Sequence, residues 1–95
     1  ILRMPVDEVL VFEAADKYLR VLTASAEYLI RTPLKELLAQ LDTQIFWQIH
    51  RGTMVNLHAV ASTRRDLGGR VFVRLKDGGA ELPVSRAYAQ KLKQR

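Results

Sequence analysis

Few side chains in this 95-residue chain can do covalent or metal chemistry, and their spacing does not favour it. There is no cysteine. That removes a thiol nucleophile, a thiolate zinc site and a disulfide framework together, and it fits a reducing compartment. His50 and His58 have no third ligand at useful spacing, so they form no zinc set. Asp7-Glu8, Asp16, Asp42, Asp66 and Asp77 sit beside turns or element ends. There a carboxylate caps N–H groups better than it moves protons. Gly68-Gly69 and Gly78-Gly79 lie between strand candidates and have neither Walker nor Rossmann form. Ser85 lacks a G-x-S-x-G frame. The chain therefore reads as a non-enzyme, with no catalytic residue, no metal and no cofactor.

The remaining chemistry is charge. Lys and Arg number 15 against 10 Asp and Glu, a net +5. Residues 1–49 hold five basic groups and seven acids, a balance of −2. Residues 50–95 hold ten basic groups against Asp66, Asp77 and Glu81, a balance of +7. A phosphate-bearing partner should meet mainly the second half.

These groups need elements to hold them. At 95 residues the chain is one domain. Hydrophobic residues at 48% and charged residues at 26% are ordinary for a folded domain. No apolar run approaches the roughly 18–20 residues of a membrane span, so no membrane contact is expected. The first residues do not resemble a secretory signal, and no initiator Met stands at position 1. The expectation is a domain excised from a longer protein.

Short strands are predicted at Glu8 to Ala14, Tyr18 to Thr23 and Glu27 to Arg31, with turns at Asp16-Lys17 and Ala24 to Ala26. Thr32-Pro33 suits a helix start. Leu34, Leu37, Leu38 and Leu41 then form one apolar stripe, so a helix over Pro33 to Leu41 should pack on the core. Ile45 to Ile49 is a further strand. Arg51 to Asn56 reads as a bend or short helical turn, with Asn56 a structural side chain at the bend. Ala59 to Asp66 is a strand closed by Gly68-Gly69. In Arg70 to Lys76, Val71, Val73 and Leu75 share one face, and Arg70, Arg74 and Lys76 the other, around Phe72. Asp77-Gly78-Gly79 is a hairpin turn. Ala80 to Val84 returns at an edge, because Pro83 cannot donate. Ser85 can cap a last helix, Arg86 to Lys93, with Tyr88 and Leu92 facing inward. The helix-turn-helix rhythm is absent, so loops would do any DNA reading.

Four segments in order resemble the LytTR family of bacterial DNA-binding domains. They are Val11-Phe12-Glu13-Ala14-Ala15-Asp16-Lys17-Tyr18; Thr32-Pro33-Leu34-Lys35-Glu36-Leu37; Phe46-Trp47-Gln48-Ile49-His50-Arg51-Gly52-Thr53-Met54-Val55-Asn56-Leu57; and Leu75-Lys76-Asp77-Gly78 with Leu82-Pro83-Val84-Ser85-Arg86-Ala87-Tyr88. The resemblance spans about Val9 to Leu92. It implies a mainly β fold, an elongated arrangement of small antiparallel sheets with one middle helix and a short C-terminal helix. It also implies a single cytoplasmic domain over residues 1–95, C-terminal to a receiver or sensor domain in a two-component transcription regulator. Such a domain binds double-stranded DNA through loops in successive major grooves, as two copies on imperfect direct repeats.

Three patches match the family's DNA-contacting regions. The first is the turn with Lys17, Leu19 and Arg20, where Leu19 would touch a thymine methyl. The second is His50, Arg51 and Thr53; Arg51 suits a narrow minor groove or a phosphate. The third is Ser85 and Arg86. The Arg86 fork could take guanine O6 and N7 together, and the Ser85 hydroxyl with the adjoining helix end could take a phosphate. Lys91 would contribute sequence-independent affinity. Two other classes fit the charge: an RNA- or single-strand-binding β module, and a basic protein-interaction domain. The first needs exposed aromatics for stacking, and the chain has three Phe, three Tyr and one Trp, mostly at apolar positions.

Overall fold

The computed structural model describes residues 8–76 and 80–93, with side chains up to residue 90. Two-residue turns set the register of the first strands. β1 (Val9–Ala15) reverses through Asp16-Lys17 into β2 (Tyr18–Thr23), with Ala15 opposite Tyr18. Asp16 takes φ 56°, a left-handed conformation that its short polar side chain tolerates. β3 (Glu27–Ile30) pairs with β2, and α1 (Leu34–Leu38) follows. Next come β4 (Phe46–His50) and β5 (Thr53–Asn56), joined at Arg51-Gly52, and a 3-10 turn at Leu57–Ala59. β6 (Val60–Arg65), β7 (Val71–Leu75), β8 (Glu81–Val84) and α2 (Arg86–Lys93) close the chain.

The strands form two antiparallel sheets, ordered β3-β2-β1-β5-β4 and β6-β7-β8. The domain is elongated, 43 × 27 × 24 Å. This is the mainly β architecture with two short helices that the sequence implied. Pro83 lies on β8, an edge strand of the smaller sheet, as its missing N–H requires.

The five-stranded sheet is apolar on both faces. Alternation sends Phe12, Leu19, Val21, Phe46 and Met54 to one face, under Leu34, Leu37, Leu38 and Leu41. The Phe12 and Phe46 rings meet there at 5.5 Å, tilted by 51°. It sends Val11, Ile49 and Val55 to the other face, against Val73, Leu75 and Val84 with Tyr88 and Ala89 of α2. The Leu stripe is thus core, as expected.

Three expectations need correction. Thr53–Asn56 is a strand, not a bend. It lies between β1 and β4, with Met54 opposite Phe12 and Val55 opposite Val11. Burial on both faces erases the alternation that would have marked it. The middle helix is shorter than expected, and its N-cap is Pro33 (φ −62°, ψ 143°) with no side-chain cap bond, so Thr32 does not cap it. Single-turn bonds from Gln40 and Leu41 N–H to the Leu37 carbonyl carry the chain on to Leu41. Finally, Leu19 is only 1% exposed.

The expected turn at Asp77-Gly78-Gly79 and the Leu92 side chain lie outside what is described. Asn56 is the structural residue anticipated. At 2% exposure its Nδ2 donates to the Val9 carbonyl (2.9 Å) and its Oδ1 accepts from the His58 N–H (2.9 Å).

Candidate nucleic-acid interface

Backbone contacts and shared grooves bring the Arg51-Gly52 turn, the start of α2 and the β6–β7 turn together around His50. The Ala14 N–H donates to the Gly52 carbonyl at 2.7 Å, which sets the Arg51-Gly52 turn against the end of β1 and near the Asp16-Lys17 turn. Glycine suits this approach: a Cβ at position 52 would lie 3.4 Å from the Ala14 Cβ. The Ser85 N–H donates to the Ile49 carbonyl at 2.8 Å, which brings the start of α2 beside the end of β4. The β6–β7 turn joins from the smaller sheet. Gly68, Gly69 and Arg70 line a groove of about 600 Å³ with His50, Ser85 and Arg86. A second groove of about 540 Å³ opens on the other side of His50, between Lys35 of α1 and Arg51, Gly52 and Thr53. A third, about 440 Å³ and largely apolar, lies between the sheets around Leu10, Leu22, His58 and Lys76, away from these loops.

The structure therefore brings His50, Arg51, Thr53, Ser85 and Arg86 together. Thr53 is half-buried at the start of β5, opposite Glu13 and His50. His50 is exposed, and its Nδ1 accepts a long 3.5 Å bond from the Gly52 N–H. Ser85 is half-buried; its carbonyl accepts from Tyr88 and Ala89 N–H at 3.1 and 2.8 Å, opening the first turn of α2. Arg86 is exposed at the first position of that helix. Lys17 is exposed at its turn, and Lys91 lies on α2, where only backbone is described.

Two members of the first patch behave differently. Leu19 faces the α1 side of the sheet, opposite Ile30, in the core with Phe12 and Val21. Burying a Leu is worth roughly 1.5–3 kcal/mol. One methyl–methyl contact could not repay its extraction, so Leu19 is corrected from a DNA contact to a core residue. Arg20 is held by two carboxylates: Nη1 bonds Glu13 Oε1 at 2.8 Å, and Nε bonds Glu27 Oε1 at 2.7 Å. The hydrogen bond and charge of Glu27, with Glu13 behind them, raise its already high pKa further. Arg20 thus enters any interface neutralised.

The same sorting of charge holds across these loops. Asp66 is occupied by its own hairpin, its Oδ1 accepting from the Arg70 N–H at 2.8 Å. Glu13 and Glu27 are tied to Arg20. Lys17, Lys35, Arg51, Arg70 and Arg86 are exposed and make no side-chain ion pair among the described residues. Cations with free donors are what a phosphate backbone requires, although Asp16 beside Lys17 and Glu36 beside Lys35 are exposed carboxylates with no ion pair among the described residues. Lys35 and Arg70 were not singled out in the sequence. Lys35 was hidden in a core helix, and Arg70 looked like part of a strand face.

That strand face is less basic than its sequence suggested. Arg64 makes a two-pronged bond to Glu81 (2.8 and 2.7 Å) and lies 4.5 Å from the Phe72 ring centroid. The Arg64 hydrogen bond holds the Glu81 carboxyl below its ordinary pKa, and Glu81 in turn raises that of Arg64. Phe72 is covered and Phe12 and Phe46 are buried; Tyr18 and Tyr28 are exposed, with Arg31 lying over the Tyr18 ring at 5.5 Å, so few rings are open for stacking. No cluster of three or more metal-ligating side chains occurs among the described residues. None of their helices is long and apolar enough to cross a membrane.

Comparison with known proteins agrees with this arrangement. The chain is 46% identical to an uncharacterised response regulatory protein of Vibrio cholerae, over 86% of this chain and 32% of that one. It is 28% identical to the transcriptional regulatory protein YpdB of Escherichia coli K12, over 95% of this chain and 37% of that one. It thus spans about a third of the length of these relatives. The LytTr DNA-binding domain of a methyl-accepting/DNA response regulator from Bacillus cereus superposes with a TM-score of 0.87 at 25% identity, covering 98% of this chain and 84% of that one. The family model for the LytTr DNA-binding domain matches residues 1–95, and with that match over the whole sequence and the loops around His50 carried on one β scaffold, the chain belongs to the LytTR family of DNA-binding domains.

Proposed function

We propose that this domain binds double-stranded DNA sequence-specifically, without catalysis, as the output domain of a bacterial transcription regulator working in the cytoplasm. The observation that carries this is the gathering of Arg51, Arg70 and Arg86 around His50 with no ion pair among the described residues. Phosphates supply most of the affinity and make it fall with salt. Arg86 reads a guanine in one major groove, and the Asp16-Lys17 turn enters the next, through Lys17 rather than Leu19. Arg51, between them, meets the minor groove or its phosphates. The 43 Å long axis bounds this footprint at little more than one turn of duplex, about 34–36 Å. A longer site therefore calls for two copies, which fits imperfect direct repeats. The names of the relatives support a receiver or sensor domain elsewhere in the full-length regulator.

The test is selection of bound duplexes from a random pool, followed by salt titration on the winner. A recurring sequence motif and a steep negative salt slope are expected. Recovery of single strands in preference to duplex, or no duplex binding at about 0.15 M salt, where surface charge is screened, would sink the proposal.

A further inference from the structure

Leu67 has no structural account. It is fully exposed at the tip of the β6–β7 hairpin, where polar or flexible residues serve a turn better. Its neighbours hold it rigidly. Asp66 N–H donates to the Arg70 carbonyl (2.9 Å), Gly69 N–H to the Asp66 carbonyl (3.0 Å) and Arg70 N–H to Asp66 Oδ1 (2.8 Å). Gly69 supplies the left-handed φ of +86° that closes the turn. Arg65 and Arg70 flank the tip, exposed and without ion pairs among the described residues. Gly68, Gly69 and Arg70, which follow Leu67 in this turn, line the same groove as His50 and Arg86.

We infer that the β6–β7 hairpin is a further DNA-contacting element: Leu67 presses on the apolar sugar and base-edge surface of the duplex while Arg65 and Arg70 take phosphates beside it. The inference rests on the DNA-binding reading above and adds a contact to it. A turn already locked by its own hydrogen bonds loses little entropy on docking, so an apolar tip there returns most of its burial as affinity. Apolar side chains flanked by arginine are suited to groove walls and unstacked steps, where a lone apolar side chain has no anchor. The shared groove with Arg86 favours DNA over a second protein as the surface that covers Leu67.

The test uses the chain on the duplex chosen by selection. Leu67→Ser should weaken binding about 5- to 30-fold, the worth of a partly buried Leu, with Tm and the salt slope unchanged. Arg70→Ala should lower the salt slope by about one. Hydroxyl-radical footprinting should show sugars protected by the wild type and exposed with Leu67→Ser. Equal affinity of Leu67→Ser and wild type would overturn the inference and leave the DNA-binding reading standing. Loss of affinity only on a two-copy site, with a single half-site bound normally, would also overturn it, because Leu67 would then meet the second copy. If the wild type bound no duplex at all, the underlying reading would fall first.

Discussion

Replacing Asn56 with Ala removes the side chain that satisfies two backbone groups and leaves both of them unpaired. The side chain is 2% exposed and ties the start of β1, through the Val9 carbonyl, to the 3-10 turn, through the His58 N–H. Water cannot readily replace either bond at that depth. Each orphaned group costs about 1–3 kcal/mol, so Asn56→Ala should lose about 2–5 kcal/mol. A domain of this length has roughly 5–14 kcal/mol in total, so a large share would go. Tm should fall by roughly 10 °C or more, at about 4–8 °C per kcal/mol. Asn56→Asp separates volume from bonding: it keeps the His58 bond but turns an oxygen toward the Val9 carbonyl, and should cost as much. Urea unfolding monitored by Trp47 fluorescence measures both variants. A loss under about 0.5 kcal/mol, within the range of ordinary surface substitutions, would refute the structural role. If that came with changed site preference, Asn56 would be a base reader instead.

Other outcomes follow from the same structure. Arg86→Ala should cost about 1–3 kcal/mol on the selected duplex and relax preference at one base pair, while Lys91→Ala weakens all sequences alike; unchanged preference in a gel-shift competition removes Arg86 from base readout. Leu19→Ala should destabilise the fold by about 2–5 kcal/mol through a core cavity; normal urea stability with altered DNA preference would return Leu19 to the interface. Glu81 is held below its ordinary pKa of 4.5 by the Arg64 bond, so its stabilising effect is present above that pH and is lost as pH falls through the lower folded value. Glu81→Gln should therefore differ from wild type at neutral pH and converge with it in acid, by a small amount because the pair is exposed; parallel pH–stability curves would contradict the pairing.

Much of this was legible in one dimension. Asp16-Lys17 between two β-rich runs defined the first hairpin, and Leu34, Leu37, Leu38 and Leu41 marked a core helix, because turn chemistry and apolar period are local properties. Ser85 before Arg86 placed the last helix for the same reason. The Phe46–Leu57 and Leu82–Tyr88 segments, taken in order, resemble the family in sequence alone. Three things were not local. Thr53–Asn56 became a strand only because β1 and β4 flank it. Leu19 became core only because α1 packs on its face of the sheet, while alternation turns Arg20, one residue on, to the other face, where Glu13 and Glu27 hold it. The availability of each charge depended on partners further along the chain: Glu13 and Glu27 occupy Arg20, and Glu81 occupies Arg64, while Arg51, Arg70 and Arg86 make no ion pair among the described residues. The sequence by itself determined which cations exist. Tertiary structure decided which of them are paired and which stay exposed, because an ion pair or a burial is a property of two surfaces brought together, and no single segment contains both.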